Sequence, residues 1–246
     1  MSVTSFLRSH LAMLSRRSCV LIAILWLGPF DAVAQTAATV PDTMAQRTLA
    51  CAACHGKEGR ATREGYFPRI AGKPAGYIYN QLVNFREGRR RYQSMTYLVS
   101  HLSDDYLKEI SLYFSSLHLP YPPEQPAAVS RETLAHGRSL VMQGDPARQI
   151  PACTRCHGDK LTGVQPSIPG LLGLPRDYLN SQFGAWRSGT RKAAAPDCMA
   201  DITHKLTAED ISALSAWLAS QPVPADMRPL TAKPAKLPLR CGSFDE

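Results

Sequence analysis

The sequence predicts an all-α protein made of two tandem domains that are related by internal duplication. Two copies of the pentapeptide Cys-x-x-Cys-His begin at Cys51 and Cys153, and a similar run of residues follows each copy. Such self-similarity is typical of a repeated structural unit. Apolar residues recur at helical spacing after capping residues, and no alternation of apolar and polar residues predicts a sheet.

The pentapeptide is the attachment motif of a c-type haem. Two thiols add across the vinyl groups of the haem, and the histidine that follows turns its imidazole onto the iron. The sequence therefore predicts two covalent haem c groups, held by Cys51, Cys54, Cys153 and Cys156, with His55 and His157 as axial iron ligands. A thioredoxin-like site would need a βαβ pattern, and a zinc ribbon would need its cysteine pairs closer together.

The N-terminal segment has the pattern of a secretory signal peptide. Three arginines precede an apolar run from Val20 to Phe30, and Ala32-Val33-Ala34 supplies a cleavage site. The run of about 11 residues is short of the roughly 20 that span a bilayer, which favours cleavage over an uncleaved anchor. We therefore predict a periplasmic protein from which residues 1–34 are removed.

Proline-rich stretches divide the remaining chain. The predicted order is a first domain at 36–120, a linker at 121–129, a second domain at 130–222 and a C-terminal tail at 223–246. The net charge of +8 is spread over both halves. No block of basic residues interleaved with aromatic residues is present, so we predict no nucleic-acid partner.

Each iron needs a sixth ligand, and two methionines occupy matched positions in the repeats. Met95 and Met199 each precede, by seven residues, a leucine that opens a capped helix. Methionine opposite histidine raises the reduction potential of a haem and suits electron transfer. A single methionine is more often a core residue, but the repetition predicts that these two are axial ligands.

Two further matched pairs are candidates for supporting roles. Pro68 and Pro169 occupy the same place in each repeat, where each carbonyl is predicted to accept a hydrogen bond from the iron-ligating histidine; a plain turn is the alternative. Arg86 and Arg187 are also matched. We predict that they pair with haem propionates, the alternative being solvated positions on a helix.

This ordered set of motifs resembles the two-haem class I cytochromes c, and cytochrome c4 is the closest branch. After the haem motif, each repeat has Gly-x-Pro-x-x-Tyr, a glutamine, an aromatic residue followed by arginine, and Met-x6-Leu before a capped helix, over roughly residues 42–222. The resemblance implies two packed all-α cytochrome c domains in a periplasmic protein that is soluble or peripherally membrane-associated. It implies redox partners, namely a dehydrogenase or quinol oxidoreductase as donor and a terminal oxidase or another acceptor.

We therefore predict an electron carrier without catalytic residues, because two His/Met haems leave no open iron position for a substrate. One alternative is a two-haem oxidoreductase resembling thiosulfate dehydrogenases, in which one haem has a cysteine ligand. Cys198 lies beside Met199 and keeps that alternative open. Another alternative is the cytochrome subunit of a membrane-bound dehydrogenase.

Cys198 and Cys241 remain after the signal peptide and haem attachment account for the other five cysteines. An oxidising compartment favours a disulfide between two spare thiols. We predict the Cys198–Cys241 disulfide, which would hold the tail against the loop that carries Met199. The alternatives are a Cys198 thiolate on the iron and a Cys241 bridge between two molecules.

Overall fold

The computed structural model of the protein describes residues 39–62, 64–231 and 236–244. The predicted signal peptide at 1–34 lies outside the described residues. The chain divides into two units at 1–40 and 41–246, and all described helices belong to the second unit. None of these helices is both long and apolar enough to span a lipid bilayer.

The first half of this unit is helical. Its helices are α1 (Met44–Arg47), α2 (Leu49–His55), α3 (Ala75–Arg86), α4 (Gln93–Val99) and α5 (Asp104–Ser116), with a short 3₁₀ turn at Lys57–Gly59. Thr43 and Ser103 cap α1 and α5, because each side chain accepts a hydrogen bond from the backbone N–H three residues later. Helices α1 and α2 are separated at Thr48, whose hydroxyl and backbone N–H both donate to the Met44 carbonyl.

The second half repeats this order with additions. Its helices are α6 (Arg131–Met142), α7 (Thr154–His157), α8 (Arg176–Arg187), α9 (Cys198–Lys205) and α10 (Ala208–Ala219). Two antiparallel ladders join β1 (Gly144–Asp145) to β2 (Ile150–Pro151) and β3 (Gly163–Val164) to β4 (Ile168–Pro169). The sequence did not predict them, because two-residue strands are too short to show alternation. The fold remains all-α.

Each half buries its own apolar cluster. In the first, α3 and α5 contribute the buried side chains of Leu82, Leu107 and Phe114. In the second, α6 packs on α10, and Gly137 lies so close to α10 that a Cβ atom there would be 2.2 Å from the Ala213 carbonyl oxygen. Only glycine permits this approach. The two separate cores agree with two domains, while the exact residues at which the domains begin and end remain predictions.

The halves meet along a backbone seam. Arg90 and Arg191 form an antiparallel bridge, and the Arg91 N–H donates to the Thr190 carbonyl at 2.8 Å. At another point the Lys73 ammonium, which is buried, donates to the Gly170 carbonyl at 3.2 Å. Burial, together with nearby positive charge, lowers the pKa of Lys73 to about 8. The seam therefore joins equivalent segments of the two repeats.

Asp210 is the buried acid at the start of α10. Its carboxylate accepts hydrogen bonds from Arg148 at 2.6 Å, from His136 at 2.7 Å and from the Thr207 N–H at 2.8 Å. The Thr207 side chain completes a capping box with it. Burial alone would raise the pKa of Asp210, but these hydrogen bonds outweigh it and hold the pKa well below its usual range.

Asp210→Asn is therefore expected to lower the free energy of unfolding by about 2 kcal/mol at pH 7, since the hydrogen bonds from Arg148 and His136 lose their charged acceptor while Arg148 keeps Asp145 as a partner. Because folding depresses this pKa, the carboxylate stabilises fully above the usual carboxyl range, and the contribution is lost as the pH falls below about 4. Urea unfolding at several pH values should give a shallower acid slope for Asp210→Asn than for wild type. Asp105→Asn, at an exposed site, is the control; equal slopes in all three proteins would contradict the assignment.

Candidate haem sites

The two haem motifs occupy equivalent helix ends. Helix α2 ends at His55 and α7 ends at His157, and each histidine is followed by a glycine with positive φ, Gly56 at 74° and Gly158 at 82°. A Cβ atom on Gly56 would lie 2.4 Å from the carbonyl oxygen of Ala61. Glycine is therefore required there so that the chain can turn away directly after the histidine.

Each of these histidines contacts a proline carbonyl. Nδ1 of His55 lies 2.8 Å from the carbonyl oxygen of Pro68, and Nδ1 of His157 lies 2.7 Å from that of Pro169. A carbonyl oxygen can only accept, so Nδ1 carries the hydrogen and Nε2 keeps its lone pair. Burial lowers the pKa of both histidines, which keeps the rings neutral. This is the tautomer that a metal ligand needs.

A cavity of about 700 Å³ extends through both halves. Every residue predicted to attach or ligate haem lies on its wall: Cys51, Cys54, His55, Met95, Cys153, Cys156, His157 and Met199. Met44, Met142 and Met227, the other methionines in the described part of the chain, do not line it. Most of the wall is aliphatic and aromatic, as a large apolar macrocycle requires.

The cavity also presents polar donors where the halves meet. Nε1 of Trp186 is buried without a hydrogen-bond partner among the described residues. Arg90 and Arg191 line the cavity as well, and neither pairs with a carboxylate within the described structure. An indole N–H without a partner and two guanidinium groups that pair with no carboxylate can donate hydrogen bonds to carboxylate oxygens. The walls and the donors therefore fit two haem c groups with their propionates.

The arginine pair is nearly symmetric between the repeats. Arg90 and Arg191 both donate to Oε1 of Gln182 at 2.7 Å, and Arg90 also donates to Oε1 of Gln81 at 3.0 Å. The Arg191 guanidinium stacks 3.8 Å from the ring centroid of Trp186. Arg191 is only 6% exposed, and burial lowers its pKa.

The arginines selected from the sequence lie elsewhere. Arg86 donates to the Leu102 carbonyl at 2.9 Å and to Asp104 at 2.6 Å, and it does not line the cavity. Arg187 is exposed and is likewise absent from the wall. In this geometry Arg90 and Arg191 are the better candidates for the propionates. Arg86/Arg187 and Arg90/Arg191 stand at the same repeat offset, so the repeat alone did not distinguish the two pairs.

The predicted disulfide between Cys198 and Cys241 is present, with the two Cα atoms 5.1 Å apart. Because its sulfur is bonded to Cys241, Cys198 has no thiolate to offer an iron, and the alternative of Cys198 as a haem ligand is wrong. An intermolecular bridge through Cys241 is excluded for the same reason. Met199 is adjacent to the disulfide and lies on the cavity wall.

Comparison with known proteins gives consistent results, although no family model matches the chain. The thiosulfate dehydrogenase electron acceptor of Thiomonas intermedia (strain K12) is 32% identical over 82% of this chain and 88% of its own length. Cytochrome c4 of Pseudomonas aeruginosa is 32% identical over 70% of this chain and 84% of its own. The chain belongs to the cytochrome c4 family.

Solved structures agree with this membership of the cytochrome c4 family. Reduced recombinant cytochrome c4 from Pseudomonas stutzeri superposes with a TM-score of 0.62 and 28% identity, over 72% of this chain and 96% of the other. The thiosulfate dehydrogenase TsdBA from Marichromatium purpuratum gives 0.62 and 32%, and the match covers 70% of this chain but 36% of that one. The chain is thus a tandem cytochrome c with two haem c groups and a dihaem electron carrier.

Proposed function

We propose that this cytochrome is the periplasmic electron acceptor of a thiosulfate-oxidising dehydrogenase, and that it passes the electrons to a terminal oxidase or another acceptor without any turnover of its own. The observation that carries the proposal of an electron carrier is the composition of the cavity wall. Each pair of haem-attaching cysteines there is accompanied by one histidine and one methionine. The relative from Thiomonas intermedia supports thiosulfate dehydrogenase as the donor.

The electron count is compatible with this donor. Joining two thiosulfate ions through a new S–S bond releases two electrons, and two haems accept one electron each. The disulfide at Cys198 also favours a carrier over an enzyme with a thiolate-ligated haem. The same haem sites would allow three other versions of this function. The donor would be a quinol oxidoreductase, the protein would be a subunit of a membrane-bound dehydrogenase, or it would be peripherally attached to the membrane.

In the proposed mechanism each haem c, once bound, supplies a one-electron redox centre. The protein's own residues hold and insulate it. The Pro68 and Pro169 carbonyls orient the two histidine rings, and Met95 and Met199 would supply the second protein ligand of each iron. The apolar walls exclude water, which keeps reorganisation small because few dipoles must turn when a charge changes. Buried guanidinium groups at the seam favour the reduced, more negative state of a nearby centre.

The test uses the holoprotein mixed with a purified thiosulfate dehydrogenase. On adding thiosulfate, both haems should become reduced, with two electrons taken up per chain. The holoprotein with thiosulfate alone should stay oxidised, which also tests the absence of turnover. Reduction without the dehydrogenase would indicate an enzyme, while no reduction in its presence would reject this donor.

A further inference from the structure

The two haem pockets differ in what covers them. At the second pocket, Leu237 and Phe244 from the C-terminal tail are 6% and 8% exposed and form a cluster with Val164 and Ile168. Cys156, one of the haem-attaching cysteines, packs against this cluster. The tail therefore lies over the outer edge of the second haem pocket.

Several contacts fasten the tail in this place. Besides the disulfide to Cys198, the Gly242 N–H donates to the Pro196 carbonyl at 2.9 Å, and a Cβ atom on Gly242 would lie 2.1 Å from the Ala195 carbonyl oxygen. The carbonyl of Ser243 accepts from Ser167 at 2.7 Å and from Asn80 of the first half at 3.0 Å. The tail is therefore held over the second haem pocket by specific contacts with both halves of the fold.

The first pocket carries exposed aromatic side chains instead. Tyr66 is 64% exposed, lines the cavity and lies beside Tyr92, with ring centroids 6.3 Å apart. Tyr97 is 80% exposed and shares a shallow surface depression with Tyr92 and Arg91. We call Tyr66, Arg91, Tyr92, Tyr97 and Leu98 the first-haem surface. A patch of this kind is typical of a protein–protein contact.

The matched positions differ in cover, and one of them also differs in charge. The repeat offsets place Ser167 at the position of Tyr66, and Ser167 is bonded to the tail. They place the exposed Asp201 at the position of Tyr97. Asp197, in the second half, is the acidic residue on the described cavity wall. Arg47 and Arg91 line the first-half end, and Lys192, at the repeat position of Arg91, lines the second-half end. The first-haem surface is therefore apolar and basic.

We propose that the first-haem surface is the docking site for redox partners, and that the tail closes the second haem to direct exchange. The partner that fits is a redox protein with an apolar contact patch rimmed by carboxylates, because Arg91, Tyr92 and Tyr97 line the surface depression and none of its described lining residues is a carboxylate. Both electrons then enter and leave through the first pocket, and the second haem exchanges electrons with the first. This inference goes beyond the proposed donor and holds for any donor.

The surface can be mapped with hexacyanochromate(III), a redox-inactive paramagnetic trianion, on the reduced ¹⁵N-labelled holoprotein. We expect the amide signals of Tyr66, Arg91 and Tyr97 to broaden at least fivefold more than those of Ser167 and Asp201. Equal broadening on both sides, or stronger broadening near Asp201, would overturn the proposal. No electron transfer is needed for this measurement.

Charge variants then test exchange itself, using oxidation of the reduced holoprotein by ferricyanide at low ionic strength. Each ferricyanide takes one electron and becomes ferrocyanide, so two are consumed per chain. Arg91→Glu should slow the reaction about tenfold, since steering of an anion is lost. Asp201→Lys, which adds positive charge on the covered side, should change it less than twofold. A large acceleration by Asp201→Lys would mean that the second haem reacts directly.

The cover is tested with Leu237→Ala/Phe244→Ala, which keeps the disulfide, and with a chain ending at Met227 that also carries Cys198→Ser. In at least one of these backgrounds, Asp201→Lys should now accelerate ferricyanide oxidation severalfold. If it has no effect in either background, the tail is not what closes the second haem. Thiosulfate and its dehydrogenase are absent from all these experiments, so their failure would leave the proposed donor untouched.

Discussion

Replacing Met95 or Met199 by histidine is expected to lower the reduction potential of one haem and leave the other near its wild-type value. A thioether stabilises ferrous iron relative to an imidazole, which is the better donor to ferric iron. The expected change is on the order of 0.2 V, a fraction of the roughly 0.8 V over which axial ligands set haem potentials. Both methionines lie on the cavity wall in matched positions, and no other described methionine does.

Spectroelectrochemical titration of the holoprotein provides the measurement, because a two-centre fit separates the two potentials. Met142→His is the control, since Met142 is 40% exposed and does not line the cavity; its titration should superpose on wild type. The weak red absorption band typical of methionine on ferric iron should also diminish in each ligand variant. Unchanged potentials in Met95→His would assign the sixth ligand of the first haem to another residue.

The second large effect is expected from the disulfide. Replacing Cys198 and Cys241 together by serine should lower the free energy of unfolding by about 4 kcal/mol, because the bond closes a loop of about 44 residues whose freedom in the unfolded chain is then restored. Serine keeps the size of each side chain close to that of cysteine, so the change isolates the cross-link. The loss should be confined to the second half, where the tail packs.

Unfolding of the holoprotein in guanidinium chloride measures this loss of free energy. The unfolding is followed by the absorption of both haems and by tryptophan fluorescence. Two variants provide controls, because Cys198→Ser and Cys241→Ser each remove the same bond and should match the double variant. The band from the second Met–iron bond should weaken below the main transition, since α9 loses its attachment to the tail. A loss under 1 kcal/mol would mean that packing of Leu237 and Phe244 holds the tail without the bond.

Local chemistry explains why so much could be predicted from the sequence. Haem attachment needs two thiols and a histidine within five consecutive residues, so Cys51–His55 and its repeat are complete signals in themselves. Helix starts at Ser103, Ser130 and Thr207 are equally local, since a side chain caps an N–H only three residues away. The disulfide between Cys198 and Cys241 was predicted because these two cysteines remain after haem attachment and because an oxidising compartment favours a bond between them.

Tertiary structure alone decided which arginines face the cavity. Arg86 and Arg90 are close in sequence. Arg86, at the end of α3, donates a hydrogen bond to Asp104 at the start of α5, whereas Arg90 lies on the seam and donates to Gln182. The direction of a long side chain depends on which segment packs beside it, and no local pattern carries that information. The same holds for the tail. The sequence predicted that a disulfide holds the tail near Met199, but it did not predict what the tail covers. Leu237 and Phe244 are buried because the second haem pocket offers an apolar edge there.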